Sequence, residues 1–144
     1  MSIRVIIADD HKIVRQGLAK LLEGEKDIEI VGEAGDGQTV MKLTREKSPN
    51  VIIMDLAMPH MNGIEATHQI SKTSPMTKIL VLSMYLDRHY VAGVLGAGAS
   101  GYLLKDCAAE ELVNAVRTVN RGEVYLSQKV SGIIVKERLQ TEIR

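Results

Sequence analysis

The stretch VIIMDLAMPHMNG, Val51 to Gly63, decides the fold. Its first four residues, Val51 to Met54, are apolar without a break, the pattern of a strand buried on both faces of a parallel sheet. The run stops on a carboxylate, Asp55, which places a charge at the edge of that sheet. Pro59 then removes a backbone donor and Asn62-Gly63 supplies turn chemistry, so the chain loops over before the next helical pattern begins. On this reading Asp55 looks outward from a strand end. Taken alone, an acid in that position need do no more than end a strand or anchor a turn.

Working outward in both directions, the same motif of apolar run, polar stop and helical spacing recurs. Ile3 to Ala8 ends in Asp9-Asp10, after which Val14, Leu18, Leu21 and Leu22 repeat at helical spacing. Ile28 to Val31 is followed by the turn GEAGDG and a helix carrying Val40, Met41 and Leu43 as far as Ser48-Pro49. Beyond the central stretch, a helix from near Gly63 carries Ile64, Ala66, Thr67 and Ile70, and Ile79 to Leu82 ends in Ser83. Asp87 is placed to cap a helix bearing Tyr90, Val91, Val94 and Leu95. Gly101 to Leu104 ends in Lys105-Asp106, and Glu110 to Asn120 carries Leu112, Val113, Val116 and Val119 on one side before Gly122 stops it.

Strand-like runs alternating with helical patterns predict an α/β fold, a doubly wound five-stranded parallel sheet of flavodoxin-like type with helices on both faces. Its strand order is 2-1-3-4-5, with the switch point between strands 1 and 3. That order brings Asp9 and Asp10 beside Asp55 on one edge, with Ser83 and Lys105 following at the ends of strands 4 and 5. The tail from Glu123 to Arg144 is less legible. Val135, Leu139 and Ile143 fall at i, i+4 and i+8, which fits a short helix packed on a neighbour or a linker to a further domain.

Composition bounds the function. With 144 residues, 45% hydrophobic and 25% charged, the chain is long enough for one globular core and too apolar to be disordered. A formal net charge of zero supplies no long-range field for nucleic acid or an acidic membrane. No apolar run approaches the about 20 residues needed to span a bilayer, and no signal-peptide core opens the chain, so a cytoplasmic location is expected. The single cysteine, Cys107, forms no intrachain disulfide and fits a reducing compartment.

Crowded carboxylates repel one another and are tolerated as anions chiefly when a cation sits among them. An all-oxygen site with few protein ligands and room for water and phosphate suits Mg2+, whereas zinc would want His or Cys. Beside such a cation Asp55 is able to act as an oxygen nucleophile toward a phosphoryl group, with Lys105 as a point charge and Ser83 as a hydroxyl donor. Each residue also has a plainer role: helix caps for Ser83, Asp9 or Asp10, and a solvated loop charge for Lys105. Their convergence at the ends of four strands is what argues for a joint function. His11 is adjacent, yet a solvated histidine at a helix N-terminus accounts for it, and His60, His68 and His89 fall on loops or helix surfaces. GAGASG, Gly96 to Gly101, matches a dinucleotide-binding spacing but leaves a helix and enters a strand, the reverse of that context. Met54, Met58, Met61 and Met84 are read as gap-fillers in the core, and Cys107 as an inert thiol.

As a set, ADD (Ala8 to Asp10), MDLAMPHMNG (Met54 to Gly63), LSM (Leu82 to Met84) and GYLLKD (Gly101 to Asp106) resemble the receiver domain of two-component response regulators. The resemblance implies that Asp55 is the phosphoacceptor for a sensor histidine kinase. It implies Mg2+ held by Asp10, Asp55 and the backbone carbonyl of Ala57, with Asp9 acting through water. Lys105 matches the phosphate-binding lysine, and Ser83 with Tyr102 the switch pair that couples phosphorylation to the surface. A half-buried strand aromatic is the plainer role for Tyr102. Ala57 and Tyr85 match positions that influence how long the phosphate survives. GASGYLLKD with EELVNAVRTVNRGEVYLS is similar in particular to the NarL/FixJ subclass, whose members continue into a LuxR-type helix-turn-helix. Residues 1–122 are then the receiver and 123–144 a linker or extra helix, with DNA reached only through an output domain that this chain lacks. A homodimer formed on phosphorylation is a further implication.

Two rivals remain. A pseudo-receiver would use the fold only as a binding platform, against which the intact acid cluster argues. An enzyme, either an FMN protein or a phosphatase with an aspartyl-phosphate intermediate, is the other. The acidic loop after strand 1 disfavours FMN phosphate, and Ala57 stands where such a phosphatase needs its second acid.

Overall fold

Alternate residues of each strand face opposite sides of the sheet, and that division builds the molecule. The computed structural model describes residues 2–59, 62–84 and 87–143, without the side chains of 135 and 137–143. The elements run β1 (Ile3–Ala8), α1 (Lys12–Glu23), β2 (Ile28–Ala34), α2 (Gly37–Lys47), β3 (Val51–Asp55), α3 (Gly63–Thr73) and β4 (Lys78–Ser83). There follow α4 (Arg88–Gly96), β5 (Gly101–Leu104), a 3-10 turn at Lys105–Cys107, α5 (Ala108–Asn120), β6 (Tyr125–Leu126) and α6 (Gln128–Ile143). Ile6, Ile52, Met54, Val81, Tyr102 and Leu104 pack on one face against Val40 of α2, Ile70 of α3 and Val91 and Val94 of α4. Val5, Ile7, Ile53, Leu80, Leu82 and Leu103 pack on the other against Leu18 and Leu22 of α1 and Leu112, Val116 and Val119 of α5.

Helix starts follow the expected chemistry. Asp36 accepts from the Thr39 N–H at 2.8 Å, Asn62 from Ile64 at 3.0 Å and Asp87 from His89 at 2.7 Å, each satisfying a donor that the first turn leaves unpaired. Gly98 ends α4 with φ +114, in the left-handed region, and a Cβ there would lie 2.2 Å from Ser71 Oγ. Gly98 therefore serves a tight turn and a close contact with α3, while Gly101 opens β5, so the GAGASG stretch leaves a helix and enters a strand as its context predicts.

The strand count needs correction. The sequence led us to expect five strands in the order 2-1-3-4-5, whereas the sheet has six, all parallel, in the order β2-β1-β3-β4-β5-β6. With only five, β5 would leave a row of open backbone groups. Tyr125 N–H donates to Ser100 O at 3.0 Å and Ser127 N–H to Tyr102 O at 3.1 Å, closing that edge. A two-residue strand is too short to show alternation, which is why the sequence did not display it. α6 follows and packs on α4, with Val130 fully buried and Ile134 against the core. The side chains of Val135, Leu139 and Ile143, whose spacing drew attention to this tail, lie outside the described residues.

Gly101 is where the new edge is tightest. A Cβ would stand 2.8 Å from Leu80 Cδ1 and 2.9 Å from the carbonyl oxygen of Tyr125. Gly101→Ala is therefore expected to cost about 2 kcal/mol through overpacking and to lower Tm by roughly 6 °C in thermal denaturation. An unchanged Tm would show that β6 yields freely.

Candidate functional site

The parallel register carries the strand ends to one rim. Ala8 pairs with Met54 and Ser83 with Leu104, so the residues that follow or close β1, β3, β4 and β5 are neighbours. Asp9 is fully buried, while Asp55 is 4% and Ser83 3% exposed. Burial of this kind is costly for an anion unless it is paired. The pairing comes from Lys105, whose Nζ lies 3.0 Å from Asp9 Oδ2 and 3.3 Å from Asp55 Oδ2. Asp9 Oδ1 also accepts the His11 N–H at 2.9 Å, and Asp55 Oδ1 accepts the Ala57 N–H at 3.1 Å.

These groups shift one another's protonation. Burial pushes the Asp55 carboxyl above its ordinary value, and the Asp9 charge adds to this, while the Ala57 N–H and Lys105 oppose it. Lys105 feels burial in the opposite sense, but its hydrogen bond to Asp9 and the charges of Asp55 and Asp9 prevail, so it is held above the usual lysine value.

Asp9, Asp10, His11 and Asp55 each offer a ligand atom, and these atoms lie within 4.8 Å of one another. Asp10 Oδ1 is buried and accepts no hydrogen bond among the described residues. A carboxylate oxygen left in that condition beside two further acids fits a hard cation with oxygen ligands, as Mg2+ is. Beside the acids opens a cavity of about 240 Å³ lined by His11, Asp55, Leu56, Ala57, Ser83, Met84, Tyr90 and Lys105. The space admits a small tetrahedral anion next to Asp55.

Tyr102 lies behind the cavity, fully buried and hydrogen-bonded with Ser83, although burial still raises its phenol above the ordinary value. Ser83 is thus the residue that touches both the cavity and the interior of β5.

The structure brings Asp9, Asp10, Asp55, Ala57, Ser83 and Lys105 together. His11 stands exposed at the start of α1, as the sequence predicts, and its Nδ1 also lies 3.1 Å from Asp10 Oδ1 and 3.4 Å from Asp9 Oδ1. One sequence reading changes. Met84, read as core, is 74% exposed at the cavity mouth, while Met54 and Met58 are buried. Nothing in the sequence signalled that exposure of Met84. Burial raises the Cys107 thiol above its ordinary value, with Asp106 and Glu111 adding to the effect, as suits an inert residue. Tyr85, His60 and Met61 lie outside the described residues.

Comparison with known proteins matches the model of the response regulator receiver domain over residues 5–117. The chain belongs to the response regulator receiver family. It falls in the NarL/FixJ subclass: it is 47% identical over 133 residues to the transcriptional regulatory protein LiaR of Bacillus subtilis, covering 92% of this chain and 63% of LiaR. The receiver chain thus spans less than two thirds of that relative. A LuxR-family response regulator structure from Aurantimonas sp. superposes with TM-score 0.91 at 34% identity, covering 96% of this chain and 99% of that one. The isolated receiver of RcsB from Salmonella enterica serovar Typhimurium, solved with the phosphomimetic BeF3-, gives TM-score 0.84 at 31% identity, covering 91% of this chain and 97% of that one. RcsB has also been solved as dimers bound to two parallel DNAs, with TM-score 0.86 at 31% identity over 94% of this chain and 69% of that one. No helix among the described residues of the receiver is long and apolar enough to cross a membrane.

Proposed function

We propose that the chain is a phosphorylation-driven switch in which Asp55 takes a phosphoryl group from a sensor histidine kinase. The observation that carries this is the bridging of Lys105 between the buried carboxylates of Asp9 and Asp55 at 3.0 and 3.3 Å, at the wall of a cavity large enough for phosphate. The RcsB receiver solved with a phosphomimetic supports the same reading for a relative.

A carboxylate oxygen of Asp55 attacks phosphorus in line, an O–P bond forms, and the N–P bond of the phosphohistidine breaks. Asp10, Asp55 and the Ala57 carbonyl would hold Mg2+, with Asp9 engaged through water. When bound, that ion neutralises repulsion between the entering phosphoryl group and the acids. Lys105 swings its charge from the carboxylates to a phosphoryl oxygen, and Ser83 donates its hydroxyl to another. Ser83 then draws on its bond with Tyr102, so the state of Asp55 is conveyed to β5 and the elements that cover it. The chain is a signalling domain rather than an enzyme acting on a separate substrate.

Residues 1–122 are proposed as the receiver and 123–144 as the segment leading toward an output domain, a LuxR-type helix-turn-helix in a longer cytoplasmic protein that controls transcription. RcsB dimers on DNA support a homodimer, and phosphorylation is proposed to favour it.

Incubation with a small acyl phosphate tests the reading. One labile phosphoryl group is expected by intact mass in Mg2+ and none after chelation. Borohydride reduction followed by peptide mapping should place homoserine at position 55. Label at any other residue, or uptake indifferent to chelation, would refute it, and unchanged sedimentation of the labelled protein would count against the dimer.

A further inference from the structure

Arg15 stands outside the ring of residues assigned above, yet its guanidinium reaches the backbone of the acidic loop. Nη1 donates to the carbonyl oxygen of Asp9 at 2.6 Å, and Nε lies 3.4 Å from Glu33 Oε1 on β2. The side chain is 19% exposed. It runs close to Gly35, where a Cβ would come within 3.2 Å of Nη1.

The carbonyl that Arg15 holds belongs to the peptide joining Asp9 to Asp10. The Asp9 N–H donates to Ala34 O at 3.0 Å, so the segment is fastened to the end of β2 on one side and to α1 on the other. The Asp9 carboxylate has its own partners in the His11 N–H and Lys105. The Asp10 carboxylate has no such hydrogen bond at its buried Oδ1, where its one close polar neighbour among the described residues is Nδ1 of the exposed His11 at 3.1 Å, so its direction depends chiefly on the backbone that carries it.

We propose that Arg15 is a positioning residue for the cation site: by pinning the Asp9–Asp10 peptide it aims the Asp10 carboxylate at the place a divalent ion occupies. The inference rests on the Mg2+-dependent reading given above, and it carries a diagnostic sign. A guanidinium near a cation site repels the ion, so charge alone would make the loss of Arg15 strengthen binding. Positioning requires the reverse.

The test is Mn2+ binding to the whole chain, read from the electron paramagnetic resonance signal of free Mn2+, with folding checked by thermal melts in chelator. Arg15→Met is expected to bind Mn2+ about tenfold more weakly than wild type, the size of effect found when a residue orienting a metal ligand is lost. Arg15→Lys, which keeps the charge but not the planar fork, is expected to bind more weakly than wild type, by a smaller factor than Arg15→Met. Equal or tighter binding by folded Arg15→Met overturns the proposal. Where that variant does not fold, wild-type affinity in Arg15→Lys overturns it instead. Asp10→Asn separates the two readings. If it binds Mn2+ as wild type does, the cation site itself is misassigned. If it binds weakly while Arg15→Met does not, only the positioning role fails.

Discussion

Asp55→Asn is expected to abolish phosphoryl uptake and, at neutral pH, to make the unphosphorylated protein more stable. The first outcome follows because the amide oxygen is a poor nucleophile and carries no negative charge to hold a cation. The second follows from the environment of the carboxylate, where burial and the Asp9 charge outweigh the Ala57 N–H and Lys105 and raise Asp55 above its ordinary 3.8. A group whose folded-state value is raised contributes its stability below the unfolded value and loses it as pH rises through the folded one. Ionised Asp55 therefore burdens the fold at pH 7, and a neutral isostere relieves it by about 1 kcal/mol, seen as a Tm higher by roughly 3 °C. The difference should vanish below about pH 3.8, where both states of wild type are protonated. Adding Mg2+ should also shrink it, because the ion stabilises only the chain that binds it. A wild type more stable than the variant at pH 7 in chelator would show that the Lys105 pairing outweighs burial.

Lys105→Ala is expected to be the most damaging change that leaves Asp55 in place. It removes the one cation seen between Asp9 and Asp55 among the described residues. Two buried acids then face each other unpaired, at a cost of about 3 kcal/mol in the absence of divalent ion. Mg2+ should restore much of that stability, since it supplies the missing positive charge. It should not restore the transfer rate. Lys105 also stabilises charge on the phosphoryl oxygens as transfer proceeds, and loss of one such preorganised group lowers the rate by about a hundredfold or more. The measurement is phosphorylation rate by intact mass beside a melt with and without Mg2+. Wild-type kinetics in the variant would remove Lys105 from the mechanism.

Much of this site was legible in the sequence because strand ends announce themselves. An apolar run interrupted by Asp9-Asp10, by Asp55, by Ser83 or by Lys105 marks where a buried strand meets solvent, and parallel packing places all such ends on one rim. The cap at Asp87 was legible for a related reason: it acts on the backbone N–H of His89, two residues away. Arg15 was not legible in its role, since a basic residue near the start of a helix looks the same whether it is solvated or gripping a carbonyl. Met84 misled because a methionine beside an apolar strand usually fills the core, whereas this one stands exposed just past the end of β4.

The order of residues already specifies the alternation of strands and helices, the two buried faces of the sheet and the identity of the acids at its rim. These depend on periodicity and on interactions a few residues long. Folding of the whole chain is what makes β6 close the edge of β5, carries Lys105 across 96 residues of chain to Asp9, and leaves Asp10 with an oxygen to offer. Such contacts depend on the register and twist of strands brought together by burial of the whole core, and no local pattern encodes them.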